Sequence, residues 1–313
     1  METEAEDFVV ENEIFSKIRR ADQFQIDLLV IAIPSIMIII AEMSFFTGMT
    51  KFTLWTHLVL LITLTFSTMI FNDKNKQHIL SAFILLSLLR IVNLSMPVFF
   101  EMTLHSYILI YAPLAIPIYI FVKNQNLGIS DLGITRNIKY YDLPLVLIAS
   151  VVIAAGEFLI IKPSYLIPDL SLLNLFKLSI IMIFFVGLIE ELIFRSILQT
   201  KLEEMIGRYQ GLILATILFA VMHSGYSTPY EIAFAGFAGF ILGTIYLIRR
   251  NLLLVTMTQG LVNILLFGVL PHIVIPKLNT SGLAMENTKL IVGFIFLIIS
   301  IVAIGFIELR KKK

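Results

Sequence analysis

The sequence of 313 residues contains no cysteine. Disulfide bonds, thiolate zinc sites, cysteine nucleophiles and lipid attachment through cysteine are therefore excluded. The helical zinc motif His-Glu-x-x-His of soluble metalloproteases is absent as well, and so are glycine-rich phosphate loops. Any chemistry of this chain must come from other side chains and other patterns.

Charged residues are also scarce. They make up 14% of the chain, hydrophobic residues make up 58%, and the mean hydropathy is +0.93, whereas soluble domains are about 25% charged and about 45–50% apolar. Lipid is therefore the predicted solvent for most of the chain, and we expect an integral, multi-pass protein of the cell membrane. The 23 Lys and Arg residues balance 22 Asp and Glu residues without a basic block, so nucleic acid is not an expected partner.

Long apolar runs predict an all-α, polytopic transmembrane helical bundle of about ten spans, because a helix crosses the hydrocarbon core in about 20 residues. Of the 23 Lys and Arg residues, 17 lie in the two tails, in alternate loops or, for Arg195, at the adjoining end of a span, and 3 lie in the loops of the opposite side. Cytoplasmic loops carry the positive excess, so both termini are expected to face the cytoplasm. The predicted spans are 26–46, 54–71, 79–100, 106–122, 143–161, 173–198, 209–224, 232–248, 252–270 and 289–307.

The spans divide at the longest polar connection, residues 123–142, which contains a repeated Leu-Gly-Ile. The beginning of the chain is acidic, which is the wrong charge for a signal peptide. No repeat relates the two halves, which disfavours a transporter built from inverted repeats. The predicted organisation is an acidic cytoplasmic tail (1–25), a four-span region (26–122), a core of about five spans (123–270), and a last span with a basic tail (271–313).

Several predicted spans of the second half carry polar side chains, which are costly in lipid and therefore functional candidates. Counting about 1.5 Å of rise per residue from the inner flank of each helix places Glu190 at a depth of about 16 Å and His223 at about 22 Å. The same count places Gln259 at about 14 Å and Asn263 at about 20 Å. Side chains from three helices are therefore predicted to meet in one layer of the membrane.

Neighbouring Glu190 and Glu191 point about 100° apart on a helix, so only one of them can face a shared cavity. Arg195 follows Glu191 by four residues, which predicts a structural ion pair along one helix face. Glu190 is then predicted to face His223 as an acid–base group or water activator. The Asn263 amide is the candidate donor to a developing oxyanion.

Two further features are interpreted as structural. Arg90 and Glu157 fall at similar depths, about 18 and 22 Å, so we expect them to form a buried ion pair. Small residues at intervals of three and four over 236–243 predict close helix packing by the eighth span.

The residues of this layer resemble the CAAX-prenyl endopeptidase and bacteriocin-processing (CPBP) family of intramembrane proteases, also called the abortive-infection family. The family pattern E-E-x-x-x-R matches Glu190, Glu191 and Arg195. The pattern F-x-x-x-H matches Phe219 and His223.

The third family pattern, H-x-x-x-N, matches at Asn263 alone, because Gln259 stands in place of its histidine. The segment 129–133, Ile-Ser-Asp-Leu-Gly, is similar to the family's lead-in to its core. The resemblance covers residues from about 123 to 270 and leaves the first four spans and the last one unexplained.

The resemblance implies an endopeptidase that cuts a peptide bond in a membrane-associated peptide or a lipidated protein, with membrane lipid as a further partner. In the family, the glutamate and two histidines activate a water together with a divalent metal such as zinc, and the asparagine stabilises the oxyanion. The implied metal ligands here are Glu190 and His223, and Asn263 completes the catalytic set. The implied supporting residues are Glu191, Arg195, Phe219 and Gln259.

Gln259 leaves two hypotheses open, because an amide accepts no proton and binds zinc poorly compared with imidazole. In the first, Glu190 and His223 activate a water for direct attack without an acyl-enzyme, with or without metal. In the second, the chain is a degenerate family member that acts as a membrane binding protein or a bacteriocin self-immunity protein.

Overall fold

The computed structural model describes residues 25–99 and 102–274. Every regular element in this part of the chain is a helix, so the predicted all-α class is confirmed. The nine helices are α1 (Gln25–Phe46), α2 (Thr50–Ile70), α3 (Lys74–Phe99), α4 (Ser106–Asn124), α5 (Asp142–Ile161), α6 (Leu172–Ile206), α7 (Arg208–Val221), α8 (Pro229–Arg249) and α9 (Leu252–Val274).

Eight of these nine described helices are long and apolar enough to cross a membrane. The chain is therefore a polytopic helical membrane bundle, as predicted. The exception is α7, which corresponds to the seventh predicted span, 209–224. It has 14 residues, fewer than the 17 or so that a crossing needs. The predicted span 289–307 and most of both predicted tails lie outside the described residues. The number of spans and the side on which each terminus lies stay predictions.

The glycine between α6 and α7 brings two helices of the predicted site together. Gly207 adopts a left-handed backbone angle, φ 98°, which glycine adopts at no steric cost. The chain reverses there, and a Cβ placed on Gly211 would lie 2.5 Å from the backbone nitrogen of Glu203. The two helices thus form a tight antiparallel pair.

Helix α8 packs onto α7 through the small residues of its sequence. A Cβ on Gly239 would lie 2.8 Å from Phe219 Cδ1, and a Cβ on Gly243 would lie 2.5 Å from Leu212 Cδ1. A larger side chain at either position would have to displace these neighbours. The predicted close packing of this span is confirmed.

Helix α6 is not a regular α-helix around the acidic pair. Two wider π-helical stretches, Ile181–Gly187 and Leu192–Gln199, flank a short α-helical segment, Leu188–Glu191. Such stretches are rare and concentrate at functional sites. The acidic pair therefore lies where the helix changes its pitch.

Candidate active site

The side chains that the sequence places in one layer line one cavity of about 80 Å³ within the bundle. The cavity is larger than the roughly 30 Å³ share of a water molecule in the liquid. Five of the residues predicted from the motifs contribute to its wall: Glu190, Phe219, His223, Gln259 and Asn263.

The carboxylate of Glu190 is held between two helices. Its Oε1 accepts a hydrogen bond from the Tyr111 hydroxyl of α4 at 2.5 Å, and its Oε2 accepts one from Gln259 Nε2 of α9 at 3.1 Å. Each carboxylate oxygen can accept a second hydrogen bond. Glu190 therefore keeps acceptor capacity for a molecule in the cavity.

The imidazole of His223 follows the end of α7 and is oriented by a backbone contact. Its Nδ1 lies 2.9 Å from the carbonyl oxygen of Phe219, and a carbonyl can only accept, so Nδ1 carries the proton. In the neutral ring this leaves Nε2 as an acceptor. The Phe219 ring packs on the imidazole with centroids 4.7 Å apart. His223 makes no direct hydrogen bond to Glu190 in the described structure, and the cavity that both line has room for a water between them.

Asn263 presents an unpartnered donor. Its side chain is 7% exposed, and its Nδ2 is buried without a hydrogen-bond partner among the described residues. An orphaned buried donor costs about 1–3 kcal/mol. A donor aimed at an oxygen that forms only during a reaction carries such a cost in the resting state.

Glu191 turns away from the cavity and binds Arg195, as the four-residue spacing predicts. The distance from Arg195 Nε to Glu191 Oε2 is 3.3 Å, and both side chains are fully buried. The guanidinium carbon lies 4.7 Å from the centre of the Phe219 ring, on which His223 also packs. The first two motifs therefore contact each other through Phe219.

The expected ion pair between Arg90 and Glu157 is wrong. Arg90 binds Glu42 of α1 instead, with Nε to Oε1 and Nη2 to Oε2 both at 2.6 Å. Glu157 lines the cavity beside Glu190, and its carboxyl contacts that of Glu231. Equal depth does not show which helices are neighbours, and the depth count did not consider Glu42.

Sequence reasoning also missed residues that line the site. Tyr111 carries no signal of its own, because tyrosine is common in and near membrane spans. Glu157 did carry a signal, since an ionisable side chain inside a span is a functional candidate by default. Glu157 is absent from the predicted site because from sequence alone it is interpreted as part of a structural ion pair.

A second and larger cavity adjoins the site. It has a volume of about 550 Å³ and shares the walls formed by Glu190 and His223. Apolar side chains of α3 form much of its remaining wall, among them Leu89, Leu94 and Pro97. The site therefore adjoins a space that suits an apolar group.

The residues present do not fit a zinc site. Within the described residues, no three His, Asp or Glu side chains are grouped closely enough to hold a metal ion. Gln259 occupies the place of the third motif's histidine and donates to Glu190 Oε2 instead. Catalytic zinc takes three protein ligands, and Glu190 and His223 supply two.

Comparison with known families supports the motif assignment. Residues 172–265 match the family model described as Type II CAAX prenyl endopeptidase Rce1-like. The match begins with α6 and ends within α9, so it includes Glu190, His223 and Asn263. Neither a curated protein nor a solved structure matches the chain. The resemblance to the CPBP family that the motifs indicate is thus confirmed over residues 172–265, which are similar to the Rce1-like CAAX prenyl endopeptidases.

Proposed function

We propose that this protein is an intramembrane endopeptidase that hydrolyses a peptide bond in a membrane-associated peptide or a lipidated protein. One observation carries the proposal. The carboxylate of Glu190, the imidazole of His223 and the unpartnered amide of Asn263 line a single cavity deep in the bundle. The match to a membrane endopeptidase family supports it.

In the proposed reaction a water bound between Glu190 and His223 attacks the scissile carbonyl carbon. Glu190 accepts one proton of the water, while the other hydrogen bonds to Nε2 of His223. Asn263 Nδ2 donates to the oxygen that becomes negative. The carbon–nitrogen bond then breaks, and the leaving nitrogen takes the proton from Glu190. This transfer returns Glu190 to its ionised state, and the products are a carboxylic acid, which ionises on release, and an amine.

Two residues around Glu190 orient it for this role. Tyr111 and Gln259 each donate to one of its oxygens, which fixes the plane of the carboxylate. A carboxylate held in one orientation loses no freedom when the water binds. Gln259 therefore replaces the family histidine as an orienting donor, without the capacity to accept a proton.

The substrate class follows from the adjoining cavity and from the lipid surroundings. Apolar residues form most of the large cavity, which shares a wall with Glu190 and His223. A hydrophobic segment or a lipid chain placed there would lie next to the reacting bond. We propose that the protein acts at the cell membrane, with membrane lipid as its surroundings and no nucleic acid as a partner.

Cleavage by the purified protein tests this function. The assay uses proteoliposomes that contain a quenched fluorescent farnesylated peptide or its unlipidated form, and follows the release of fluorescence. We expect Glu190→Gln to lose about a hundredfold or more in rate. The control is Glu204→Gln, because the Glu204 side chain lies on the same helix, is 48% exposed and pairs with Lys201. An uncut substrate, or equal rates for wild type and Glu190→Gln, would contradict the proposal.

The second candidate function is a family member that binds without cleaving, as a membrane binding or self-immunity protein. Gln259 favours it, because it removes a basic nitrogen from the site. The substitution Gln259→His separates the two functions. A gain of zinc, measured by elemental analysis, or a gain of proteolysis would indicate a site damaged at this position. Loss of the native activity would indicate a site adapted to glutamine.

A further inference from the structure

We infer that α1 and α3, which lie outside the family match, position the catalytic histidine through an ion pair between Glu42 and Arg90. This inference deepens the proposed function and depends on His223 being part of the active site. Glu42, Arg90, the Met222 carbonyl and the Ser224 hydroxyl are called the Glu42–Arg90 clamp below.

The clamp holds the chain on both sides of His223. Arg90 Nη2 donates to the carbonyl oxygen of Met222, the residue before the histidine. The hydroxyl of Ser224, the residue after it, donates to Glu42 Oε2 at 2.7 Å. Glu42 and Arg90 bind each other through two hydrogen bonds of 2.6 Å. His223 therefore lies between two backbone positions fixed by one buried ion pair.

The local backbone needs such support. Helix α7 ends at Val221, and His223 immediately precedes a short 3₁₀ turn, Ser224–Tyr226, that ends at the left-handed residue Ser227, φ 54°. The last carbonyls of a helix have no partner within the helix, and an unsatisfied carbonyl is costly inside a membrane protein. Arg90 supplies the partner for Met222 and thereby fixes where the helix stops.

Helix α1 also contacts this connection directly. A Cβ placed on Gly225 would lie 2.9 Å from Phe45 Cε1. The same phenylalanine ring lies under the Arg90 guanidinium, 5.3 Å from ring centre to guanidinium carbon. Two residues of α1 thus contact the histidine segment, Phe45 through its ring and Glu42 through the hydrogen bond from Ser224.

Glu42 is itself held by a third group. His57 Nε2 of α2 lies 3.1 Å from Glu42 Oε1, and both side chains are fully buried. Arg90 is 5% exposed. Buried ion pairs add little net stability, because desolvation offsets the attraction. A role in fixing one geometry accounts for this network better than stability does, since it ends on both neighbours of His223.

The chain offers a matched control between the same two helices. Lys76 of α3 binds Asp27 of α1, with Nζ 2.8 Å from Oδ1. This second pair also links α1 to α3, but neither residue lines the cavities that contain His223. Its loss should loosen the same helix contact without releasing the histidine.

The test replaces both clamp charges, Glu42→Met with Arg90→Met, so that no buried charge is left unpaired. Three quantities are measured: Tm in detergent, kcat and KM, and the rate at which diethyl pyrocarbonate modifies His223, followed by mass spectrometry. We expect a modestly lower Tm, because the Met222 carbonyl loses its donor, a KM close to wild type, a loss of about tenfold to a hundredfold in kcat, and modification of His223 that is several-fold faster. The control, Asp27→Asn with Lys76→Met, should leave kcat and the modification rate unchanged.

A folded double variant with the wild-type kcat and modification rate would overturn the inference. If the wild type cuts no substrate, the proposed function fails, and the modification rate of His223 still decides whether the clamp holds it. If the double variant does not fold, Ser224→Ala replaces it, since this change removes a single hydroxyl from the clamp. Ser224→Ala should then raise the modification rate, and an unchanged rate would again overturn the inference.

Discussion

Gly187 and Gly260 face each other where α6 crosses α9. A Cβ placed on Gly187 would lie 3.2 Å from the backbone nitrogen of Gly260, and a Cβ placed on Gly260 would lie 2.6 Å from Ile183 Cγ1. Glu190 follows Gly187 by three residues, and Gln259 precedes Gly260 directly. The close crossing therefore sets the distance over which Gln259 reaches Glu190.

Replacing Gly260 by alanine should separate these helices. The added methyl group would meet the backbone of Ile183, whose Cα would lie 3.0 Å away. We expect a loss of about 1–3 kcal/mol of stability, together with a lower kcat, because the hydrogen bond from Gln259 to Glu190 lengthens. Thermal unfolding in detergent and the proteoliposome assay measure the two effects.

The control for this variant is Gly236→Ala in α8. An added Cβ there would meet one methyl group, that of Ala220, at 3.3 Å. Its effect on both quantities should be small. Equal effects of the two alanines would show that the crossing of α6 and α9 does not set the geometry of the site.

Glu190 and Glu191 should respond to the same substitution in opposite ways. Glu190→Gln keeps an acceptor for Tyr111 and removes the proton acceptor, so we expect a loss of about a hundredfold to ten-thousandfold in kcat with a Tm near wild type. Glu191→Gln removes the counter-charge of the fully buried Arg195, and should cost about 3–5 kcal/mol of stability.

Tm and kcat, measured side by side for both variants, check this division of roles. An active Glu190→Gln beside an inactive but stable Glu191→Gln would reverse the assignment of the two carboxylates.

Asn263→Ala should lower kcat by about a hundredfold to a thousandfold, because it removes the proposed oxyanion donor. KM should change little, since the donor matters after the substrate is bound. Thr256→Val is the control, because the Thr256 hydroxyl is another buried, unpartnered polar group on α9 but does not line the small cavity. Wild-type kcat in Asn263→Ala would contradict the oxyanion role.

The sequence was sufficient to predict that Glu190, His223, Gln259 and Asn263 meet. The rise of a helix is fixed, so distance along the chain from a charged flank converts directly into depth. The spacing of four residues likewise places Gln259 and Asn263 on one helix face.

Which helices lie next to each other in the plane of the membrane was not predictable in the same way. Arg90 and Glu157 lie at similar counted depths, but Arg90 binds Glu42 and Glu157 lies against Glu231. Depth gives one coordinate, whereas pairing depends on which helices pack together. The contribution of Tyr111 to the site was missed for the same reason, because the sequence of α4 does not show that this helix packs beside α6.

The contact between Glu157 and Glu231 leads to a last prediction. Glu231 lies in the first turn of α8 and is fully buried, and neither of its carboxyl oxygens has a donor among the described residues. A carboxylate suits the start of a helix, but two carboxyls in contact have no hydrogen atom to share unless one is protonated.

The substitution Glu231→Gln supplies an amide donor to Glu157 and removes one acid from the pair. We expect the variant to be about 1 kcal/mol more stable than wild type, seen as a higher Tm in detergent at alkaline pH, where the wild-type pair has lost its proton. The gain should shrink as the pH falls, because acid protonates the wild-type pair and gives it the same hydrogen bond. A Tm below wild type at every pH would mean that the Glu231 carboxyl is stabilised at the start of α8 more strongly than it is destabilised by Glu157.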